Sequence, residues 1–341
     1  MKAAVYTRTG DPAVLELVDQ PVPEPDSGEV LVRMALSGVN PTDVQFRAGK
    51  AGPPSYGWQI PGQDGAGVIE ATGQGVDSTL VGERVWVWEA ASGRPWGTAA
   101  EYTLVPSRQI VLLGSVPFET GAALGIPFLT AHRCLTVGEL MPRHLDLGSL
   151  ADRVVLVQGG AGAVGNAAIQ LARWADATVI ATVSTSEKAQ LAAAAGASHV
   201  INYRQQDVVA EVKKIAPYGV DTIVEVAGDQ NAPIDAQVIG HAGVVAAYSF
   251  RGEELTLPAT RLMPSNARWQ FVAVYQVPAV AKAQAVQDVA TAVTQGGIRV
   301  GPDAGLPLHY YPLAEAADAH AAVENSAVGK VLISTSQEQP A

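Results

Sequence analysis

The stretch Val154-Val155-Leu156-Val157-Gln158-Gly159-Gly160-Ala161-Gly162-Ala163-Val164-Gly165 decides the fold. A β-branched apolar run ends in clustered glycines, and helical spacing follows from Asn166 to Ala175. Strand, tight turn and helix place Gly160, Gly162 and Gly165 in G-x-G-x-x-G spacing. In that pattern one glycine makes the turn and one lets backbone amides approach a pyrophosphate. The third lets helix and strand pack closely. The helix N-terminus adds free N–H groups and the positive end of a dipole. A Gly-rich turn of purely structural use is the alternative, and the flanking strand and helix favour a dinucleotide.

Outward from this turn the texture divides in three. Residues 1–126 carry short β-rich runs (Ala3–Tyr6, Glu29–Leu36, Gly67–Glu70, Arg84–Trp88, Ala100–Val105) between Gly/Pro turns, which predicts an irregular antiparallel or barrel-like domain. Residues 127–277 alternate strand and helix. Strands are expected at Val154–Gln158, Thr178–Val183, His199–Asn202, Thr222–Val226, Val244–Tyr248 and Gln270–Tyr275. Helices are expected at Asn166–Trp174, Ser186–Ala195, Val208–Ile215 and Pro233–Ile239. Alternation of this kind predicts an α/β, doubly wound parallel sheet. Residues 278–341 add helices at Val280–Thr294 and Ala314–Glu324 and a strand at Lys330–Ser334. That strand has no partner in the doubly wound sheet and is expected to return to the first domain, giving domains of 1–126 with 278–341 and of 127–277. The end, Gln337–Ala341, is expected to fray.

Bulk properties narrow the function. The 341 residues suit two domains, and 48% apolar against 16% charged residues describes a globular chain. A formal net charge of −11 argues against general affinity for nucleic acid or an anionic membrane. One cysteine, Cys134, rules out an internal disulfide framework and any multi-cysteine metal site. Arg8 and Asp11 interrupt the N-terminus too early for a signal sequence, and no apolar stretch is long enough to span a bilayer. A cytoplasmic location is expected.

The second strand selects the dinucleotide. NAD sites usually carry an acid about twenty residues after the glycines, accepting from the ribose 2′-OH. Here the strand ends Ala181-Thr182-Val183-Ser184-Thr185-Ser186, with no acid at its tip. A carboxylate there would repel a 2′-phosphate, whereas hydroxyls and a cation would hold one. Ser184, Thr185, Lys188, Tyr203 and Arg204 therefore favour NADPH over NADH. The competing reading makes Ser184 or Ser186 only the helix N-cap and Lys188 a solvated residue.

Several motifs resemble the medium-chain dehydrogenase/reductase superfamily over nearly the whole chain. They are Gly38-Val39-Asn40-Pro41-Thr42-Asp43, Pro61-Gly62-Gln63-Asp64-Gly65-Ala66-Gly67, Gly125-Ile126-Pro127-Phe128-Leu129-Thr130-Ala131, the glycine turn, and Gly329-Lys330-Val331-Leu332-Ile333. Within it the chain is most similar to the zinc-free, zeta-crystallin-like quinone oxidoreductase branch. The resemblance implies a GroES-like catalytic domain, a Rossmann domain and an active site in the cleft between them. It implies that Asn40 and Thr130 lie near the nicotinamide and that Ala161, Gly162, Ala163, Val164 and Gly165 carry the pyrophosphate. Ser184, Lys188 and Tyr203 would hold the 2′-phosphate. Tyr248, Ser249, Phe250 and Arg251, with Phe271, Val272 and Ala273, would pass near the nicotinamide end, and Lys330 would approach the cofactor. Phe46 stands where relatives often have Tyr, Ala163 replaces a common Gly, and the Lys50–Gln59 loop has no clear counterpart.

Zinc-dependent members use cysteine where Asn40 stands and Gly-His-Glu where Gly62-Gln63-Asp64 stands. Asn and Gln are poor zinc ligands, so no metal site is expected. Without a Lewis acid, chemistry shifts from alcohol oxidation toward reducing a quinone or α,β-unsaturated carbonyl, where positioning matters most. Tyr56 and Tyr248 are candidate proton donors or stacking walls. His132 is expected to be a packed helix residue, Cys134 a small buried one and Asp43 a cap. The expected function is NADPH-dependent reduction of a quinone or enone. The alternatives are an enoyl- or acryloyl-type (2-alkenal) reductase and a non-catalytic NADPH-binding structural or moonlighting protein. An unprotected sheet edge at Gln270–Tyr275 suggests a homodimer.

Overall fold

The computed structural model describes residues 1–335, so the expectation for Gln337–Ala341 falls outside the described residues. The chain divides into two compact units: Met1–Ile126 with the chain from Leu308 onward, and Pro127–Pro307.

In the first unit β1 (Lys2–Val5) and β2 (Glu16–Asp19) form an antiparallel ribbon. The main sheet takes β3 (Glu29–Val39), β4 (Asp64–Thr72), β5 (Arg84–Val87), β6 (Tyr102–Pro106) and β7 (Ile110–Leu112). Val30, Val32 and Met34 of β3 pack with Ile69, Val85, Val87 and Val105 into one core. β3 is longer than its apolar pattern suggests because β4 and β6 both pair with it, and it delivers Asn40 to the start of α1 (Pro41–Arg47). Pro41 at the first helical position is pre-set for the helix. The register of β3 with β4 sets Gly38 opposite Asp64. The unit boundary falls inside α2 (Phe118–Thr136) at Pro127. Proline weakens the helical ladder there, and the preceding Ile126 amide donates to both Asp64 carboxylate oxygens at 2.9 Å.

The second unit alternates β8 (Val154–Val157), α3 (Ala163–Trp174), β9 (Thr178–Val183), α4 (Ser186–Ala194), β10 (His199–Asn202), α5 (Val208–Ile215) and β11 (Val220–Glu225). It continues through α6 (Gly228–Val238), β12 (Ile239–Ala247), α7 (Ala259–Leu262), β13 (Arg268–Phe271) and α8 (Ala279–Thr294). All strand pairs are parallel in the order β10-β9-β8-β11-β12-β13. Strand order reverses between β8 and β11, the doubly wound pattern whose crevice takes ligands at the strands' carboxyl ends. Leu156, Ile180, Ile201, Ile223 and Val245 from five strands share one buried cluster with α5 and α6.

The chain then returns to the first unit as β14 (Leu308–Pro312), α9 (Ala316–Glu324) and β15 (Lys330–Ser334). β15 pairs with β14 and antiparallel with β3, the return the sequence suggested.

Several boundaries differ from the sequence reading; β12, for one, begins at Ile239 and not at Val244. Residues 278–307 belong with the second unit. Asn166 and Gln170 of α3 bind the Ala304 and Arg299 carbonyls, and Trp174 Nε1 binds Gln295. The sixth strand spans Arg268–Phe271, and Val274–Gln276 is a 3-10 turn. Helix α6 starts before Pro233, because Glu225 accepts from the Ala227 amide and from Asn231, completing its first turn.

His132 is a packed helix residue, as expected. Its Nε2 lies 2.7 Å from Asp288 Oδ2, which also accepts from the Leu145 amide at 2.7 Å; Gln284 donates to Oδ1 at 2.8 Å. Burial pushes the Asp288 carboxyl up, but the bonds from His132, Leu145 and Gln284 outweigh it and hold it below its usual range. A lowered folded pKa stabilises above the unfolded pKa and is lost as pH falls. Asp288→Asn should therefore cost about 2 kcal/mol near neutrality and progressively less in acid. Urea unfolding of both forms at neutral and acid pH checks this, and a cost that does not shrink in acid contradicts it.

Candidate functional site

The glycine turn sits at the carboxyl end of β8. The residue that makes the turn is Gly159, with φ +71, one position before the spaced trio. The turn is held by β9: Gly159 N donates to Thr182 Oγ1 at 3.3 Å and Gly160 N to the Thr182 carbonyl at 3.0 Å. A Cβ on Gly160 would stand 2.8 Å from Ala181 Cβ, and one on Gly165 2.3 Å from the Gly159 carbonyl oxygen. Those two glycines therefore serve strand and helix packing. A Cβ on Gly162 would meet only the Gly159 oxygen, at 3.5 Å, so that face is open. Gly162 is also the N-cap of α3 and has no side chain to cap with. The amides of Ala163, Val164 and Gly165 thus lack intrahelical partners, and no acid in the first turn competes for them. Together with Ala161, which is buried, this is a cradle that fits a pyrophosphate.

At the tip of β9 the predicted phosphate residues come together. Asn202 pairs in register with Val183, and Tyr203 N donates to the Val183 carbonyl at 3.0 Å, which sets Tyr203 beside Ser184. Thr185, and neither Ser184 nor Ser186, is the N-cap of α4: its Oγ1 accepts from Lys188 N at 3.3 Å. Capping therefore fixes where Lys188 starts without using Ser184. Tyr203 and Arg204 are exposed and Lys188 is half-buried. Glu187 lies in the first turn of α4, where its carboxylate accepts from Ser186 Oγ at 3.2 Å.

The other predicted second-unit residues follow β12 and β13. Asp229 accepts from the Arg251 and Gly252 amides, both at 2.9 Å, and so fixes the loop carrying Ser249 to Arg251. Phe250 and Phe271 meet with ring centroids 5.6 Å apart. Val272 N donates to the Ala247 carbonyl at 2.8 Å, which places Val272 and Ala273 beyond the strand ends. Thr130 is buried in α2. Burial, reinforced by Cys134 and Glu225, raises the Tyr248 phenol well above 10. It therefore keeps its proton and is a weak acid.

The first unit holds a buried charged cluster around Asn40. Lys330 Nζ donates to Asn40 Oδ1 at 2.7 Å, Asn40 Nδ2 donates to Asp64 Oδ2 at 2.7 Å, and Lys330 lies 3.6 Å from the same carboxylate. Burial raises the Asp64 carboxyl, and Lys330 with the donors from Asn40 and Ile126 works against that rise. Both polar atoms of Asn40 are thus engaged within the chain, and the Lys330 ammonium is taken up by these two side chains. Asp43 caps α1 as expected, accepting from Asn40 N at 2.8 Å. Burial, then repulsion from Asp64, pushes it up to about 7, against the lowering effect of Asn40 and Lys330. Tyr56 is 54% exposed and donates to the Gly93 carbonyl at 2.9 Å, so its hydroxyl ties two loops together. Gln63 is buried with Oε1 unpartnered among the described residues. A zinc ion does not fit here. Its donors would be two amides and a carboxylate, and an ammonium already holds the amide oxygen and the carboxylate.

Sequence reasoning passed over Gly159 as the turn residue, although the doubled glycine was a local signal, and over Asp64 as the partner of Asn40, which it reaches only through the β3–β4 register.

Two family models match: the alcohol dehydrogenase GroES-like domain over residues 26–115 and the zinc-binding dehydrogenase over residues 163–291. A pig (Sus scrofa) quinone oxidoreductase is 31% identical over 98% of this chain and 97% of its own length. The chain belongs to the quinone oxidoreductase branch of the medium-chain dehydrogenase/reductase superfamily. It is an oxidoreductase with a GroES-like unit and a Rossmann unit. A mycobacterial structure solved with NADPH superposes with TM-score 0.81 at 28% identity, covering 98% of this chain and all of the other. An NAD-dependent alcohol dehydrogenase superposes with TM-score 0.84 at 28% identity, with the same coverage. Fold likeness therefore leaves the choice of nucleotide to the tip of β9. Among the described residues no helix is long and apolar enough to cross a membrane.

Asp43 yields a prediction with a defined sign. An acid raised in the folded state stabilises fully below its unfolded pKa, and that contribution is lost as pH rises through about 7. Asp43→Asn should flatten the decline in unfolding free energy between about pH 4 and about pH 7. Parallel curves for the two forms would contradict the assignment.

Proposed function

We propose that this oxidoreductase uses NADPH to reduce a quinone or a related α,β-unsaturated carbonyl. One observation carries the nucleotide: β9 ends in Ser184 and Thr185 with Tyr203 set beside them, and no carboxylate stands at the strand tip. The bound nucleotide would supply hydride from C4 of its nicotinamide. The open face at Gly162 and the amides of Ala163 to Gly165 bind the pyrophosphate. Ser184, Lys188 and Tyr203 hold the 2′-phosphate, joined by exposed Arg204. Phe250 and Phe271, with the loop pinned by Asp229, form the wall at the nicotinamide end.

The acceptor follows from what the first unit lacks in donor chemistry. Asn40, Gln63 and Asp64 cannot supply a Lewis acid to stabilise an alkoxide, and Asn40 and Asp64 are bound to each other and to Lys330. A quinone or enone spreads the incoming charge onto its own oxygen and needs positioning above all. Tyr248, with its raised pKa, is a poor proton donor, so the proton comes from solvent. The name of the pig relative supports a quinone, and the bound NADPH of the mycobacterial structure supports the nucleotide.

The same reading makes the enzyme a cytoplasmic homodimer. Among the described residues β13 has β12 on one side only, and Phe271 on it is 59% exposed, so edge-to-edge pairing with a second copy would satisfy the open strand.

The test is steady-state oxidation of NADPH and NADH with a quinone and with a 2-alkenal. Turnover of the quinone with NADPH preferred supports the proposal, and turnover of the alkenal alone makes the chain an enoyl-type reductase. NADPH binding without turnover of any acceptor makes it a non-catalytic binding protein. Lys188→Glu should raise KM for NADPH about tenfold or more, roughly 1.4 kcal/mol, with kcat little changed. Equal effects on NADH and NADPH would remove the 2′-phosphate assignment.

A further inference from the structure

A chain of buried side chains holds the glycine turn from behind and runs from β9 to α6. Gln158, the last residue before Gly159, sits at its centre. The Gln158 backbone amide donates to the Val224 carbonyl on β11 at 3.0 Å. Its side-chain Nε2 donates to Asp235 Oδ1 on α6 at 3.1 Å, and its Oε1 accepts from Thr182 Oγ1 on β9 at 2.6 Å. Gln158, Thr182 and Asp235 are all buried, where such bonds are strong and a missing partner is costly.

The chain of bonds has a direction. Asp235 engages the amide nitrogen of Gln158 and so turns Oε1 toward Thr182. A hydroxyl has one proton to give, and Thr182 gives it to Gln158. The Thr182 oxygen is thereby left as an acceptor, and the Gly159 amide donates to it at 3.3 Å. The Thr182 carbonyl takes the next amide, that of Gly160, at 3.0 Å. One residue thus holds two successive amides where the backbone turns through Gly159 at φ +71. Because both are held within the chain, the amides left for a phosphate are those beyond Gly162.

We propose that Thr182 is a positioning residue for the nucleotide: its hydroxyl, oriented by Gln158, sets the glycine turn so that the amides beyond Gly162 meet the pyrophosphate. The proposal rests on the turn being the nucleotide site. It separates two tasks along one strand. Ser184 and Thr185 at the tip of β9 bear on the 2′-phosphate, whereas Thr182 bears on the part of the nucleotide that NADPH and NADH have in common. Loss of the Thr182 hydroxyl therefore weakens both nucleotides alike, in contrast to Lys188→Glu.

The test uses the whole chain with Thr182→Val, which keeps the shape and loses the oxygen, and Thr182→Ser, which keeps the oxygen. In steady-state reduction of a quinone, Thr182→Val should raise KM for NADPH and for NADH by about tenfold each, with kcat changed less than about twofold. Thr182→Ser should stay within about twofold of wild type in both constants. Hydrogen exchange of segment 156–162 without nucleotide should be faster in Thr182→Val than in wild type or Thr182→Ser. An unchanged KM in Thr182→Val, even with lower unfolding stability, makes the hydroxyl merely structural and overturns the proposal. A rise for NADPH alone also overturns it, by moving Thr182 to the 2′-phosphate. Where valine prevents folding, Thr182→Ala replaces it, and unprotected turn amides in wild type overturn the proposal without any variant. If wild type binds neither nucleotide, the reading of the turn fails and takes the proposal with it. If wild type binds and Thr182→Val binds equally well, the proposal alone fails.

Discussion

The first unit is closed by one buried ammonium. Lys330 lies 290 positions after Asn40, on a strand that returns from the second unit, and its Nζ donates to that asparagine beside Asp64. The contact exists only when β15 sits in register on β3, with Leu332 opposite Gly38. Gly38 is part of the same constraint: a Cβ there would come within 2.9 Å of Lys330 Cε and 2.1 Å of the Ala122 carbonyl oxygen. A buried ion pair adds little net stability, because desolvation consumes much of the attraction. Losing one partner is costly, since it strands a charge. The cluster therefore selects the register of β15 and the positions of β3, β4 and α1 more than it strengthens them.

The two units solve one problem in different ways. Each places two acids at the ends of central strands or on the helices that follow, where burial disfavours charge. In the first unit, Asp43 and Asp64 share a lysine and the amide between them, and only Asp43 stays near the point of neutralisation. In the second, burial raises both Glu225 and Asp235, and amide donors meet them: Ala227 N and Asn231 Nδ2 on Glu225, Gln158 Nε2 on Asp235.

Much of this was legible in the sequence because the signals were local. The run Val154–Val157 with its glycines, the alternation of strand and helix, and the missing acid after Val183 each depend on a few adjacent residues. The return of Lys330–Ser334 could be read by elimination, as a strand with no place in the parallel sheet. What escaped depends on distant contacts. Glu225 starts α6 from outside the helix, so Pro233 looked like its beginning. Asn166 and Gln170 bind the Arg299–Ala304 segment into the second unit, although an intervening proline, Pro278, suggested a boundary. The partners of Asn40 escaped as well: Asp64 and Lys330 hold its two polar side-chain atoms, which only the β3–β4 and β3–β15 registers reveal.

The acidic balance of the chain bears on how an anionic nucleotide binds. With 22 basic against 33 acidic residues, the long-range field opposes NADPH. That field is screened beyond about 8 Å at physiological ionic strength, while helix amides and side chains act at contact distance. In the proposed site, three amides of α3, the positive end of its dipole and one lysine would therefore outweigh a surplus of carboxylates spread over the surface. The same reasoning explains why an acid at the β9 tip would matter more than any elsewhere: it would stand within contact of the 2′-phosphate, where screening does not reach. The acid nearest that tip, Glu187, is exposed and bonded to Ser186, so its charge is turned largely to solvent.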